Sequence, residues 1–259
     1  METKKSKVKN NLYKKTLKNK NLLNIIFDLD ETLVQTLDIN FSDNKNYIIE
    51  NPSISNMSII NIPDNNRTTF LYIRPYFLKL IEFCFRHFNV SFWTAGTEQY
   101  CQSIIDVLLN KEQQSQTKII LSRVANENRK IMNLKSGEIY SIEHYKEQKP
   151  LHFLWNHKNF KNNFNMKNTL IIDNSQNVTK HYPYNSILVE SYCRLNEDDD
   201  ILFLLKEKLF SVNKLDKKYS SIFSKKKKNI NVKNYRCRKL RMPIIKSLSY
   251  KNIEKHLSI

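Results

Sequence analysis

The chain has 259 residues, 40% of them hydrophobic and 11% aromatic, enough to build the core of one medium domain with tails. Its formal charge of +18 is uneven: residues 1–20 hold eight lysines against one acid and residues 225–259 hold twelve basic residues against one, so 21–224 is neutral overall. No apolar run approaches membrane-spanning length, the basic start lacks an apolar signal core, and the four cysteines form no C-x-x-C pair or zinc-like spacing with histidine, so no membrane span, secretory leader or zinc module is expected.

In chain order, "LLNIIF" (22–27) is a nearly continuous apolar run and predicts a strand covered on both faces. It leads into "DLDETLV", where period-two alternation would put Asp28 and Asp30 on one side and Leu29 on the other. Residues 37–69 are rich in Asn and Ser and read as loops with a small hairpin. "TTFLYIR" predicts a strand stopped by Pro75, which opens the helix "PYFLKLIEFCFRH" with apolar residues at 77, 78, 80, 81, 83 and 85. "NVSFWT" (89–94) is the next strand, followed by the helix "AGTEQYCQSIIDVLLN" with Thr97 as its N-cap.

"TKIILSRV" predicts a strand and "GEIYSIEHY" one arm of an inserted hairpin, and a helix starts after Pro150. "NTLIIDNS" (168–175) is a third apolar strand that ends in acid and amide, and "SILVES" is a short strand. "EDDDILFLLKEKLF" is a helix with acids first and bases last, the order the helix dipole favours. Strand and helix alternate throughout, so the expected fold is α/β, a doubly wound, Rossmann-like parallel sheet with a small β insertion. The domain is expected over 21–211, between basic tails at 1–20 and 212–259. Cys84 and Cys101 fall in apolar helices, as reduced core thiols of an intracellular, soluble protein of the nucleus or cytoplasm would.

In such a sheet ligands bind beyond the carboxyl ends of the strands. Three apolar strands end there in polar groups: Asp28 and Asp30, then Thr94, then Asp173 and Asn174, with Lys149 opening a helix between the second and third. A purely structural role gives each a simpler reading. Thr94 could be a strand-end hydrogen bond, Asn174 an Asx turn, Lys149 a surface lysine with Lys146 nearby, and Asp198, Asp199 and Asp200 helix N-terminal acids. Arg74 is read as holding the loop architecture. Trp93 and Trp155 are read as core, and the histidines show no paired spacing.

"DLDETLV", "TAG" after a strand, Lys149 before a helix and "IIDNS" resemble, in order, the four motifs of haloacid-dehalogenase-type phosphatases. "FDLDETLV", "RPYFLKLIEF" and "IIDNS" are similar to the small C-terminal-domain phosphatases (the NLI-interacting-factor-like family), which act on the RNA polymerase II tail. The resemblance implies a Mg²⁺-dependent serine/threonine phosphatase. Asp28 would be the nucleophile, Asp30 the proton donor and then the base, and Thr94 and Lys149 the phosphoryl-binding groups. Mg²⁺ would be held by Asp28, the Asp30 carbonyl, and Asp173 or Asn174. Its partner would be a phosphorylated protein, with the tails available for nucleic acid or an acidic surface. Two departures stand out: Gln176 replaces the proline usual after "DNS", and the stretch from Ser122 to Lys149 is long. The alternatives are a polynucleotide or small-molecule phosphatase on the same core, or a non-catalytic transcription regulator.

Overall fold

A computed structural model describes residues 22–38, 57–62, 67–193 and 198–225. The basic segment 1–20, the residues from 226 on and Cys237 lie outside these. A seven-stranded sheet is built from β1 (Asn24–Phe27), β5 (Asn89–Thr97), β6 (Ile120–Val124), β7 (Glu127–Asn133), β8 (Glu138–Ser141), β9 (Thr169–Asp173) and β10 (Ser186–Leu188). Its order is β10-β9-β1-β5-β6-β7-β8. The first five strands in that order run parallel, and β7 and β8 add as an antiparallel hairpin. The hairpin accounts for the long stretch between Ser122 and Lys149 and extends one edge of the sheet.

The run at 22–27 is apolar because β1 is central and covered on both sides, and all four of its residues are buried. Ile25 and Phe27 face one core, shared with α1 (Phe77–His87), α2 (Glu98–Leu108) and α6 (Ile201–Lys225). Ile26 faces the other, with Trp93, α4 (Leu151–Asn156) and Val178 of α5 (Gln176–Thr179). Helices on both faces make the sheet doubly wound, as the alternation of elements predicts. A short helix, α3 (Lys111–Gln116), is closed at its start by an Asn110–Gln113 capping box. Cys84 and Cys101 are buried free thiols on α1 and α2, and Trp93 is core.

The insertion is larger than a hairpin. β2 (Val34–Asp38), β3 (Met57–Ile62) and β4 (Arg67–Ile73) form a separate antiparallel sheet in the order β2-β4-β3. α1 begins two residues after Pro75, because Tyr76 takes a left-handed conformation at φ 63°. Leu78, expected on the buried face of that helix, is 68% exposed. Its neighbours Phe77, Leu80 and Ile81 fill the apolar stripe that a helix of this period can turn inward. α6 runs without interruption past position 212 to Lys225, with Asn213 still buried. Among the described residues no helix is long and apolar enough to cross a membrane.

Candidate active site

Strand order and register bring the site together. β1 lies between β9 and β5, and Phe27 pairs with both Ile172 and Phe92. Asp28 and Asp173, the next residue on each strand, are therefore neighbours across one strand spacing although 145 positions apart in sequence. Phe27 and Ile172 face the α1 core, so alternation turns both carboxylates to the opposite face, where α4 starts. Lys149 arrives there just before α4 and puts its ammonium between them. Nζ contacts Asp28 Oδ1 and lies 2.8 Å from Asp173 Oδ2, with all three side chains buried. Lys146, the alternative three residues earlier, is exposed.

The two aspartates of "DLD" stand where the strand gives way to a turn. β1 ends at Phe27, although the Asp28 N–H still donates to the Ile172 carbonyl at 2.9 Å. The chain then turns sharply: the amides of Thr32, Leu33 and Val34 all point at the Leu29 carbonyl, and Glu31 is left-handed at φ 55°. Leu29 is fully buried and anchors the turn in the core. Leu29 packs in the same core as Phe27, away from the site, and the turn closes on its carbonyl directly after it.

Thr32 links the nucleophile candidate to the end of β9. Its hydroxyl donates to Asp28 Oδ2 at 2.9 Å and accepts from the Asn174 N–H at 3.1 Å. The Asn174 carboxamide reaches Glu31 and Ser191 through its nitrogen. The Asx-type turn that was the simpler reading of Asn174 is made by Asp173, whose Oδ1 accepts the Ser175 N–H at 2.8 Å.

Asp30 belongs to a second network, on the α2 side. Thr94 donates to its Oδ2 at 3.1 Å and accepts the Gly96 N–H at 2.9 Å. The Tyr100 hydroxyl donates to its Oδ1 and lies 3.0 Å from the Thr36 hydroxyl of β2. Thr97 stands at the N-cap of α2 but its side chain makes no capping bond. The six site residues read from the sequence, with Thr32 and Tyr100 added, thus fall into two clusters joined by the turn at Leu29–Leu33. Lys149, Asp173, Thr32 and Asn174 gather around Asp28, and Thr94 and Tyr100 around Asp30.

The turn is held from behind by a buried ion pair. Arg74 donates from Nε and Nη2 to Asp199, both side chains being almost fully buried, and from Nη1 to the carbonyls of Thr32 and Glu190. Arg74 thus holds the loop, as its sequence reading proposes. Asp199, read there as one helix-starting acid among three, does cap the Ile201 N–H but spends most of its acceptors on Arg74. Two other participants stand out only in the structure, although Thr32 belongs to the "DLDETLV" motif. Tyr100 lies in an ordinary helical stretch, and the part played by Thr32 needs the end of β9, 142 residues away.

Charge sets the character of the site. Burial raises the Asp28 carboxyl well above its ordinary range, against the pull of Lys149, and the carboxylates of Asp173 and Asp30 push the same way as burial. Burial opposes the charge on Lys149, but Asp28 and Asp173 outweigh it and hold the ammonium above the usual lysine value. Burial, with Asp30 beside it, also raises the Tyr100 phenol, so the hydroxyl keeps its proton. One ammonium faces two buried carboxylates, which leaves a site that favours a further cation.

Among the described residues no group of three or more His, Cys, Asp or Glu is arranged to hold a metal. The available donors are two carboxylates, the Asn174 carboxamide and backbone carbonyls. All are hard oxygens, a set that fits an ion such as Mg²⁺, which binds through one or two carboxylates and keeps several waters.

The family model for NLI interacting factor-like phosphatases matches residues 23–220 of the chain. A CTD phosphatase-like protein of Invertebrate iridescent virus 6 is 29% identical over 127 residues, which are 49% of this chain and 65% of the viral protein. A structure of the fission yeast RNA polymerase II CTD phosphatase Fcp1, bound to beryllium fluoride, is similar with a TM-score of 0.48 and 14% identity, over 80% of this chain and 55% of that one. A second Fcp1 structure gives a TM-score of 0.46 and 14% identity, over 86% and 59%. The chain spans less than two thirds of the length of each of these relatives.

Proposed function

The chain belongs to the NLI interacting factor-like phosphatase family, and from that premise we propose that it is a Mg²⁺-dependent phosphatase acting on phosphoserine or phosphothreonine in a protein segment. The RNA polymerase II tail is the first candidate substrate and transcription the first candidate setting. The observation that carries this reading is the meeting of Asp28, Lys149, Asp173 and Asn174 at the adjoining ends of β1 and β9, with Asp30 and Thr94 beside them.

In this reading Asp28 attacks phosphorus while the bond to the serine or threonine oxygen breaks. The leaving oxygen takes the proton of the Asp30 carboxyl. Water then attacks the aspartyl-phosphate and gives its proton to Asp30, and the bond from phosphorus to the Asp28 oxygen breaks. Inorganic phosphate leaves with both side chains restored. Lys149 offsets negative charge on the phosphoryl group, and Thr94 turns its hydroxyl from Asp30 to a phosphoryl oxygen. Mg²⁺, when bound by Asp28, the Asp30 carbonyl and Asp173 or Asn174, supplies Lewis-acid stabilisation of the phosphoryl oxygens. Thr32 and Arg74 keep the turn that aims Asp28.

The segment inserted between the turn at Leu29–Leu33 and α1 supports a protein substrate rather than a metabolite. Among the described residues this insertion is a three-stranded sheet rather than a helical cap. The test is phosphate release from phosphoserine peptides with Mg²⁺ by the wild-type chain and by Asp28→Asn. The expected result is turnover by the first and none by the second. Release from nucleotides or sugar phosphates alone would refute the proposed substrate class, and undiminished turnover by Asp28→Asn would refute the nucleophile.

A further inference from the structure

We propose that Tyr100 is a positioning residue for Asp30, and that through Thr36 it couples the setting of that carboxyl to the inserted sheet. This rests on the reading of Asp30 as proton donor and acceptor. Asp30 sits half-buried on a turn, at an isolated bridge to Val34 whose neighbouring bonds run from Glu31 to Val34 and from Val34 to Leu29. What fixes its side chain is the pair of hydroxyls at its two oxygens, Tyr100 on Oδ1 and Thr94 on Oδ2.

The order of donors follows from chemistry. A carboxyl oxygen that carries no proton only accepts, so Tyr100 donates to Oδ1 whether or not Oδ2 holds a proton, and Thr94 donates to Oδ2 when it holds none. The phenol has then spent its one proton, and its contact with Thr36 must run the other way, from the threonine hydroxyl. The chain of donors is Thr36 to Tyr100 to Asp30. Thr36 lies on β2, where it pairs with Leu71 of β4, so the relay starts inside the inserted sheet.

The position of the ring is equally constrained. A Cβ built on Gly96 would stand 2.4 Å from Tyr100 Cδ1, so the ring lies directly against backbone that only glycine leaves open. This has two consequences for the reaction. With Tyr100 on Oδ1, the proton that Asp30 delivers is left to Oδ2, the oxygen beside Thr94 and hence beside the expected phosphoryl position. When Thr94 turns to the phosphoryl group, Tyr100 is the side chain still holding Asp30.

The experiment uses Tyr100→Phe, which keeps the ring and its packing and removes only the hydroxyl. Its rates are compared with wild type on a phosphoserine peptide and on an aryl phosphate with a very good leaving group, and each is repeated in an Asp30→Asn background. Loss of one hydrogen bond to a charged group predicts a kcat on the peptide about ten- to a hundredfold lower, with KM changed by less than about twofold. Formation of the phosphoenzyme from the aryl phosphate, which needs little protonation, should slow by less than about threefold. In the Asp30→Asn background Tyr100→Phe should have no further effect, and Thr36→Val should give a smaller loss of the same pattern. An equal loss with both leaving groups, a loss that persists in the Asp30→Asn background, or no loss on the peptide would overturn the role of Tyr100. Wild-type turnover by Asp30→Asn would overturn the acid–base reading itself, and this inference with it.

Discussion

Replacing Asp199 with alanine tests whether the buried pair behind the turn is what keeps the turn in place. Asp199 accepts from Arg74 Nε at 2.9 and 3.1 Å and from Nη2 at 2.9 Å, and it caps the Ile201 N–H at 3.2 Å. The two side chains are 0% and 2% exposed, so truncation strands a guanidinium that water cannot reach. Removing one partner of such a pair costs about 3–5 kcal/mol. With a urea slope of about 3 kcal/mol/M, the upper end for small proteins, the unfolding midpoint should fall by roughly 1–1.7 M. The double variant Arg74→Met/Asp199→Leu strands no charge and should be less destabilised than Asp199→Ala, although Thr32 and Glu190 lose a donor to their carbonyls. It should still turn over more slowly than wild type, because the Thr32 carbonyl is no longer held. The assays are urea unfolding followed by circular dichroism, and phosphate release. A midpoint for Asp199→Ala within about 0.3 M of wild type would show that the pair contributes little, and would refute the reasoning.

Three further outcomes are expected. Gly96→Ala forces the Tyr100 ring to move and should cost about 1–3 kcal/mol, read by thermal unfolding, together with slower turnover of phosphopeptide; an unchanged melt and rate would mean the ring is not confined. Mg²⁺ should raise the melting temperature of the wild-type chain, by the equivalent of about 2.7 kcal/mol at a hundred times Kd, and the rise should shrink in Asp173→Asn. An identical rise in both would remove Asp173 from the metal site. Deleting residues 1–19 and 226–259 should leave hydrolysis of a small chromogenic phosphate intact while weakening binding to a polyanion and flattening its salt dependence. Loss of folding on that deletion would show that a tail is part of the core.

What the sequence by itself determined is what depends on neighbours along the chain. The apolar run at 22–27 suits a strand covered on both faces, and the alternation of such runs with amphipathic helices pointed to a doubly wound sheet. The carboxyl ends of those strands also announced Asp28, Thr94 and Asp173 as a set, and the motif order named the family. The hairpin reading of 37–69 fell short because β4 pairs on both sides, and a third strand adds without any local mark.

Only the tertiary structure decided which side chains meet. Arg74 before a proline and Asp199 at a helix start each have a sufficient local explanation, yet they are 125 residues apart and bonded to each other. Tyr100 reads as one more residue on a helix until packing against Gly96 sets its hydroxyl on Asp30. Asp28 and Asp30 end in separate networks because the chain turns on the Leu29 carbonyl, leaving Asp28 to partners at the end of β9 and just before α4 and Asp30 to partners from β5 and α2. Short-range sterics and hydrophobic period choose elements and faces. Partners across the sheet follow from strand order and crossover, which arise when distant apolar surfaces are buried together, and no local stretch of sequence carries that information.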